Sequence, residues 1–141
     1  MTNKIFKLFL VIIFSISNSI YAQKDSIRID VNLDSFADHL YKIKIKIPNI
    51  ESENILDIKI PEWTPGYYQL LNFSENVQNL KITNNKNEVL GFVKTDANTW
   101  RIATNQSEKI TIDYQILAKD EFIAKAYLGE KKAFIRPTAV F

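Results

Sequence analysis

Cysteine is absent from the 141 residues. That excludes disulfides, thiolate metal sites and a cysteine nucleophile. Histidine occurs once, as His39, so no site that needs two histidines can form within this chain. Glycine (3) and proline (4) are scarce, unlike in linkers and low-complexity segments. Neither charge sign dominates: 18 Lys+Arg face 16 Asp+Glu, a formal net charge of +2. A nucleic-acid partner needs clustered basic excess, and none is present. The uncharged stretch from Leu8 to Gln23 falls short of the ~20 residues a helix needs to cross a bilayer. What remains is globular composition, 46% hydrophobic and 24% charged, at a length suited to one domain.

The N-terminus reads as an export signal. Lys4 and Lys7 form a short basic start, and Leu8 to Ile16 is apolar apart from Ser15. Ser17, Asn18 and Ser19 then soften the run, and the small Ala22 precedes Gln23. This is the basic, apolar and cleavage-site order of a secretory signal peptide. The expectation is removal of residues 1–22, export to a bacterial periplasm or beyond, and no membrane attachment afterwards. An uncleaved anchor is the competing reading, and the short apolar run argues against it. Cleavage takes Lys4 and Lys7 and no acid, so the remaining chain is neutral.

Residues 23–141 read as one all-β domain. Ile27, Ile29, Val31 and Leu33 alternate with polar residues. So do Tyr41, Ile43, Ile45 and Ile47; Leu56, Ile58 and Ile60; and Ile110, Ile112, Tyr114 and Ile116. Period two with β-branched and aromatic residues predicts half-buried strands. Weaker strand signals cover 77–83, 88–94, 99–103, 123–128 and 133–136. Asn84-Asn85-Lys86-Asn87 predicts a hairpin turn with left-handed residues, and Asp96-Ala97-Asn98 and Asn105-Gln106-Ser107 are turns of the same kind. No window of helical length carries a 3.6-residue period. One short helical turn is predicted within 72–79, with Ser74 as its cap. About eight or nine short strands imply an antiparallel β-sandwich. Lys42, Lys44 and Lys46 fit a solvated sheet face whose charges discourage edge pairing.

One segment exceeds what a sandwich requires. Residues 61–68 read Pro-Glu-Trp-Thr-Pro-Gly-Tyr-Tyr. Pro65-Gly66 fits the centre of a type II turn: proline presets φ, and glycine supplies the positive φ that follows. Trp63, Tyr67 and Tyr68 flank it. A rigid turn presents aromatics at low entropic cost, which suits a contact surface. Equally, Trp63 and Tyr68 can cap one end of the sandwich core. The residues leave both readings open.

This segment resembles the P-x-W-x-P-G-x-Y signature of the glycyl-aminopeptidase family of zinc metallopeptidases, peptidase family M-sixty-one, and specifically its N-terminal β domain. Other pieces follow in the family's order. His39-Leu40-Tyr41 resembles the opening of its second strand. Phe73 and Asn76-Val77 resemble its D-F-x-x-N-V. Thr99-Trp100-Arg101, Tyr114, Ala126-Tyr127-Leu128 and 134–138 resemble later pieces. Leu71-Asn72 stands where many relatives carry Arg-Asp, and Tyr67 where many carry serine.

The resemblance implies a catalytic domain downstream with His-Glu-x-x-His and zinc. On such a helix two histidines face the metal and the glutamate activates water. This chain has neither that motif nor a second histidine. It is therefore expected to hold no cofactor and no catalytic residue. The expected role is that of a non-catalytic domain packing on the metallopeptidase domain in cis. There it would help wall a peptide-substrate cleft through Trp63, Pro65, Gly66, Tyr67 and Tyr68. The alternative is a self-contained secreted β-sandwich that binds a partner through the same aromatic turn.

Overall fold

The computed structural model describes residues 26–141; the expected signal segment lies outside them. Nine strands are present among the described residues: β1 (Arg28–Ser35), β2 (Leu40–Pro48), β3 (Ile55–Lys59), β4 (Val77–Asn84), β5 (Phe92–Asp96), β6 (Thr99–Ala103), β7 (Lys109–Leu117), β8 (Tyr127–Leu128) and β9 (Ala133–Phe134). They form a four-stranded sheet ordered β1-β2-β7-β4, a three-stranded sheet ordered β3-β6-β5, and the small hairpin β8-β9. Every strand pair is antiparallel. The predicted all-β sandwich is the observed architecture.

The alternation in the sequence sets the faces of β2 and β7. In β1, expected to be half-buried, Ile29 and Leu33 are exposed, because β1 is an edge strand of its sheet. Ile43 lies opposite Tyr114, and Ile45 opposite Ile112, which in turn lies opposite Ile82. Opposed residues share a face, so one apolar layer runs across three strands. Ile43, Ile82, Ile110, Ile112 and Ile116 are fully buried in it. Lys42, Lys44 and Lys46 lie on the opposite face. Lys44 pairs with Asp113 at 3.3 Å and Lys46 with Asp30 at 3.7 Å. The second sheet contributes Leu56 and Ile58 opposite Ile102 and Trp100. Its outer face carries Arg101, which donates two hydrogen bonds to Asp57 at 2.8 and 2.7 Å.

The turns follow their residues. Asn84 Oδ1 accepts from the backbone of Lys86 and Glu88 at 2.9 and 3.0 Å, and Asn87 sits at φ +63°. The chain then returns along β4, with Leu90 N donating to Ile82 O at 2.9 Å. One residue later it changes sheets, and Gly91 O accepts from Ala103 N. This crossing explains why the predicted strand over 88–94 is observed as β5 four residues later. Its first half belongs to the β4 hairpin and only its second half to the other sheet.

The predicted helical turn is a 3-10 turn over Phe73–Asn76, but Ser74 does not cap it. Asn72 holds the capping position at φ 44° with no side-chain cap. Ser74 is buried and donates instead to Ala97 O at 2.9 Å. A short helix α1 (Pro137–Val140) ends the described chain. Tyr114 Oη donates to Val140 O at 2.6 Å, which ties α1 to the core.

The two sheets do not close completely. A cavity of about 210 Å³ remains between them. Ile45, Ile47 and Ile58, which line it, are only half-buried, whereas Ile43 and Ile102 further along the same sheets are covered.

Candidate interaction site at the aromatic turn

The signature segment follows β3. Ile60 is buried, and its backbone exchanges hydrogen bonds with Asn98: Ile60 N donates to Asn98 O at 3.1 Å, and Asn98 Nδ2 donates to Ile60 O at 2.9 Å. Phe73, fully buried, anchors the other side. Between them Leu71 N donates to Glu62 O at 2.7 Å and closes a loop. At its tip Tyr67 N donates to Thr64 O at 3.1 Å across Pro65 and Gly66. Gly66 has φ +85°, the value a type II turn requires at its third residue. The predicted turn is therefore the observed one.

The aromatics divide between two roles. Tyr67 is half-buried and meets Phe122 edge-on, with ring centroids 5.2 Å apart. Trp63 is 47% exposed and Tyr68 91% exposed. Neither is part of the buried core, and Tyr68 in particular caps nothing. Pro65 and Gly66 are exposed at the tip.

The Tyr67–Phe122 contact brings in residues that sequence reasoning missed. The segment 119–126 is not a strand: β8 begins only at Tyr127. Ile123 is 70% exposed there, and Arg136 Nε donates to its carbonyl at 2.8 Å. The available signal was an apolar pair, Phe122-Ile123, directly after the charged Lys119-Asp120-Glu121.

His39 stands apart from this surface. It has φ 59°, and its Nδ1 donates to Leu128 O at 2.6 Å. Tyr41 Oη donates to Tyr127 O at 2.8 Å. Both side chains fasten the β8-β9 hairpin to β2. Among the described residues no three His, Cys, Asp or Glu side chains come together as metal ligands. The residues present do not fit a catalytic zinc, because the single imidazole is committed to a backbone carbonyl.

The Peptidase M61 N-terminal domain model matches residues 28–141. The chain belongs to this family. The resemblance carried by the tryptophan-proline-glycine signature therefore extends over nearly all of the described residues. Among solved structures, an aminopeptidase N family protein from Idiomarina loihiensis superposes with a TM-score of 0.70 at 25% identity. The match covers 81% of this chain and 19% of that one, so this M-sixty-one domain spans about a fifth of the protein it resembles. No match is found among curated proteins.

Proposed function

We propose that this M-sixty-one N-terminal domain is the non-catalytic front domain of an exported zinc aminopeptidase. It packs on a metallopeptidase domain in cis and helps wall the cleft that receives the peptide. The observation that carries this reading is the family match over residues 28–141, joined to a structural neighbour in which such a domain is only 19% of the chain. The contact surface is the Trp63–Tyr68 turn. Exposed tryptophan and tyrosine on a rigid loop are the residue types that dominate interface energies. Zinc chemistry belongs to the partner domain, and this domain's own residues contribute shape and contact.

The test is to read the gene past the codon for Phe141 and assay the full-length product. An in-frame His-Glu-x-x-His is expected, and a stop codon there would overturn the cis arrangement. In the full-length enzyme, Trp63→Ala with Tyr68→Ala is expected to lower kcat/KM for peptides. Unchanged kinetics would remove the turn from the cleft. A self-contained binding module remains the second reading, supported by the 91% exposure of Tyr68. It predicts a stop after Phe141 and a soluble partner captured through that turn.

A further inference from the structure

The crevice between the sheets is walled by side chains that are only partly covered. It measures about 210 Å³, room for one large apolar group, since an engineered cavity of roughly 150 Å³ binds benzene. Ile45 and Ile47 of β2 form one wall, with Ile58 and Trp100 opposite. The three isoleucines pack on the core with one flank and remain half-buried. The apolar strip runs on to Ile29, which lies opposite Ile45 and is 40% exposed. Phe141 lines the same crevice and is itself half-buried. Its backbone is held in place there. Phe141 N donates to Pro137 O at 2.8 Å, and Tyr114, another lining residue, donates to Val140 O at 2.6 Å. The short helix α1 therefore delivers the chain to the crevice in a fixed position.

We propose that the first residues after Phe141 seat an apolar side chain in this crevice and complete the core of the sandwich. The inference rests on the cis reading above, in which the chain continues from Phe141 into a metallopeptidase domain. Three observations select this occupant. Phe141 is part of the crevice wall, so the residues that follow it start beside the opening. A segment tethered there meets the crevice at an effective concentration of about millimolar or more, which a free ligand or a second copy must supply from solution. The half-buried isoleucines provide the driving force, because seating a side chain removes their apolar surface from water. The volume takes one side chain rather than the broad face of a domain, which suits a connecting segment. Anchored in this way, the connection fixes the direction in which the following domain leaves the sandwich.

The test places a thiol in the crevice of the full-length product, as Ile58→Cys, and follows its alkylation by peptide mass mapping. This domain has no cysteine of its own, so the labelled peptide is unambiguous. A second version carries the same thiol, but about ten residues after Phe141, ~30 Å of extended chain, are replaced by Gly-Ser repeats. The thiol is expected to react about tenfold or more slowly beside the native continuation than beside the Gly-Ser stretch. Fast reaction in both versions would mean that nothing covers the crevice. Slow reaction in both would assign the cover to another part of the protein. Either result overturns the proposal and leaves the cis reading standing, whereas a stop codon after Phe141 overturns both. If Ile58→Cys does not fold, Ile47→Cys on the facing sheet makes the same comparison. If the Gly-Ser version does not fold, a photoactivatable diazirine side chain at position 58 of the otherwise native enzyme decides. Cross-links to the stretch directly after Phe141 support the proposal, and cross-links only elsewhere overturn it.

Discussion

Gly66 shows how narrow a single-residue requirement can be. Its φ is +85°, and a methyl group built on it meets nothing within 4 Å. Substitution is therefore penalised by backbone conformation alone. Gly66→Ala is expected to cost about 1–2 kcal/mol, read as a lower urea midpoint with an unchanged slope. Tyr114 is the opposite case, a residue fixed by its surroundings. Burial pushes its phenol well above its ordinary value, and burial pushes Tyr41 in the same direction. Both groups stay protonated in the folded state at pH values where the unfolded chain, with phenols near pH ~10, ionises. The contribution is therefore fully present below about pH 10 and is lost as pH rises toward the folded values. Tyr114→Phe is expected to cost about 1 kcal/mol at neutral pH through the lost bond to Val140 O. It should also flatten the alkaline fall in stability, measured by denaturant unfolding between neutrality and high pH. A wild-type slope in that variant would remove Tyr114 as its source.

At the scale of elements, the β8-β9 hairpin is the piece held from outside. Two residues per strand cannot sustain themselves in water. The hairpin is held by the His39 bond to Leu128 O, the Tyr41 bond to Tyr127 O, and the backbone bond from Leu128 N to Ala118 O at 2.9 Å. Stacking of Tyr127 on Phe134, with centroids 6.0 Å apart, adds to it. His39→Ala keeps the left-handed backbone and removes the anchor. It is expected to cost about 1–3 kcal/mol. Amide exchange should speed up at Leu128 while the centre of β7 stays protected. Uniform acceleration across β7 as well would mean that the hairpin is not a separate unit. Strong alternation made β2 and β7 legible from sequence, because each has a buried and a solvated face. β5 was displaced in the reading because its chain changes sheets at Gly91, and a change of partner leaves no trace in a period-two pattern.

For the whole molecule, the turn and the 119–126 segment carry part of the exposed apolar surface, with Trp63, Tyr68, Leu70 and Ile123 exposed. Trp63→Ala with Tyr68→Ala is expected to leave the melting temperature of this chain nearly unchanged, since neither side chain is in the buried core. Under the proposed function it should weaken association with the proposed metallopeptidase domain by about 2 kcal/mol, roughly thirtyfold. A large fall in melting temperature would instead assign these side chains to the core. The same surface could be half read beforehand. Residues 61–68 announced themselves, because proline, glycine and three aromatics in one short run are costly for an ordinary loop. Phe122 did not, because its contact with Tyr67 joins segments about fifty-five residues apart in the chain.

The sequence by itself determined the all-β class, the inward faces of β2 and β7 and the type II turn. Each follows from local chemistry: alternation every second residue, and the φ values that proline and glycine impose. It also determined that no two-histidine metal site can form in this chain, since His39 stands alone. Only the tertiary structure decided that Trp63 and Tyr68 are exposed rather than capping the core. It alone decided that Ser74 turns to Ala97 rather than to its own helical turn, and that the two sheets leave a cavity between Ile45, Ile58 and Trp100. Those outcomes depend on which distant segments meet and how fully they cover one another, and periodicity carries no information about that.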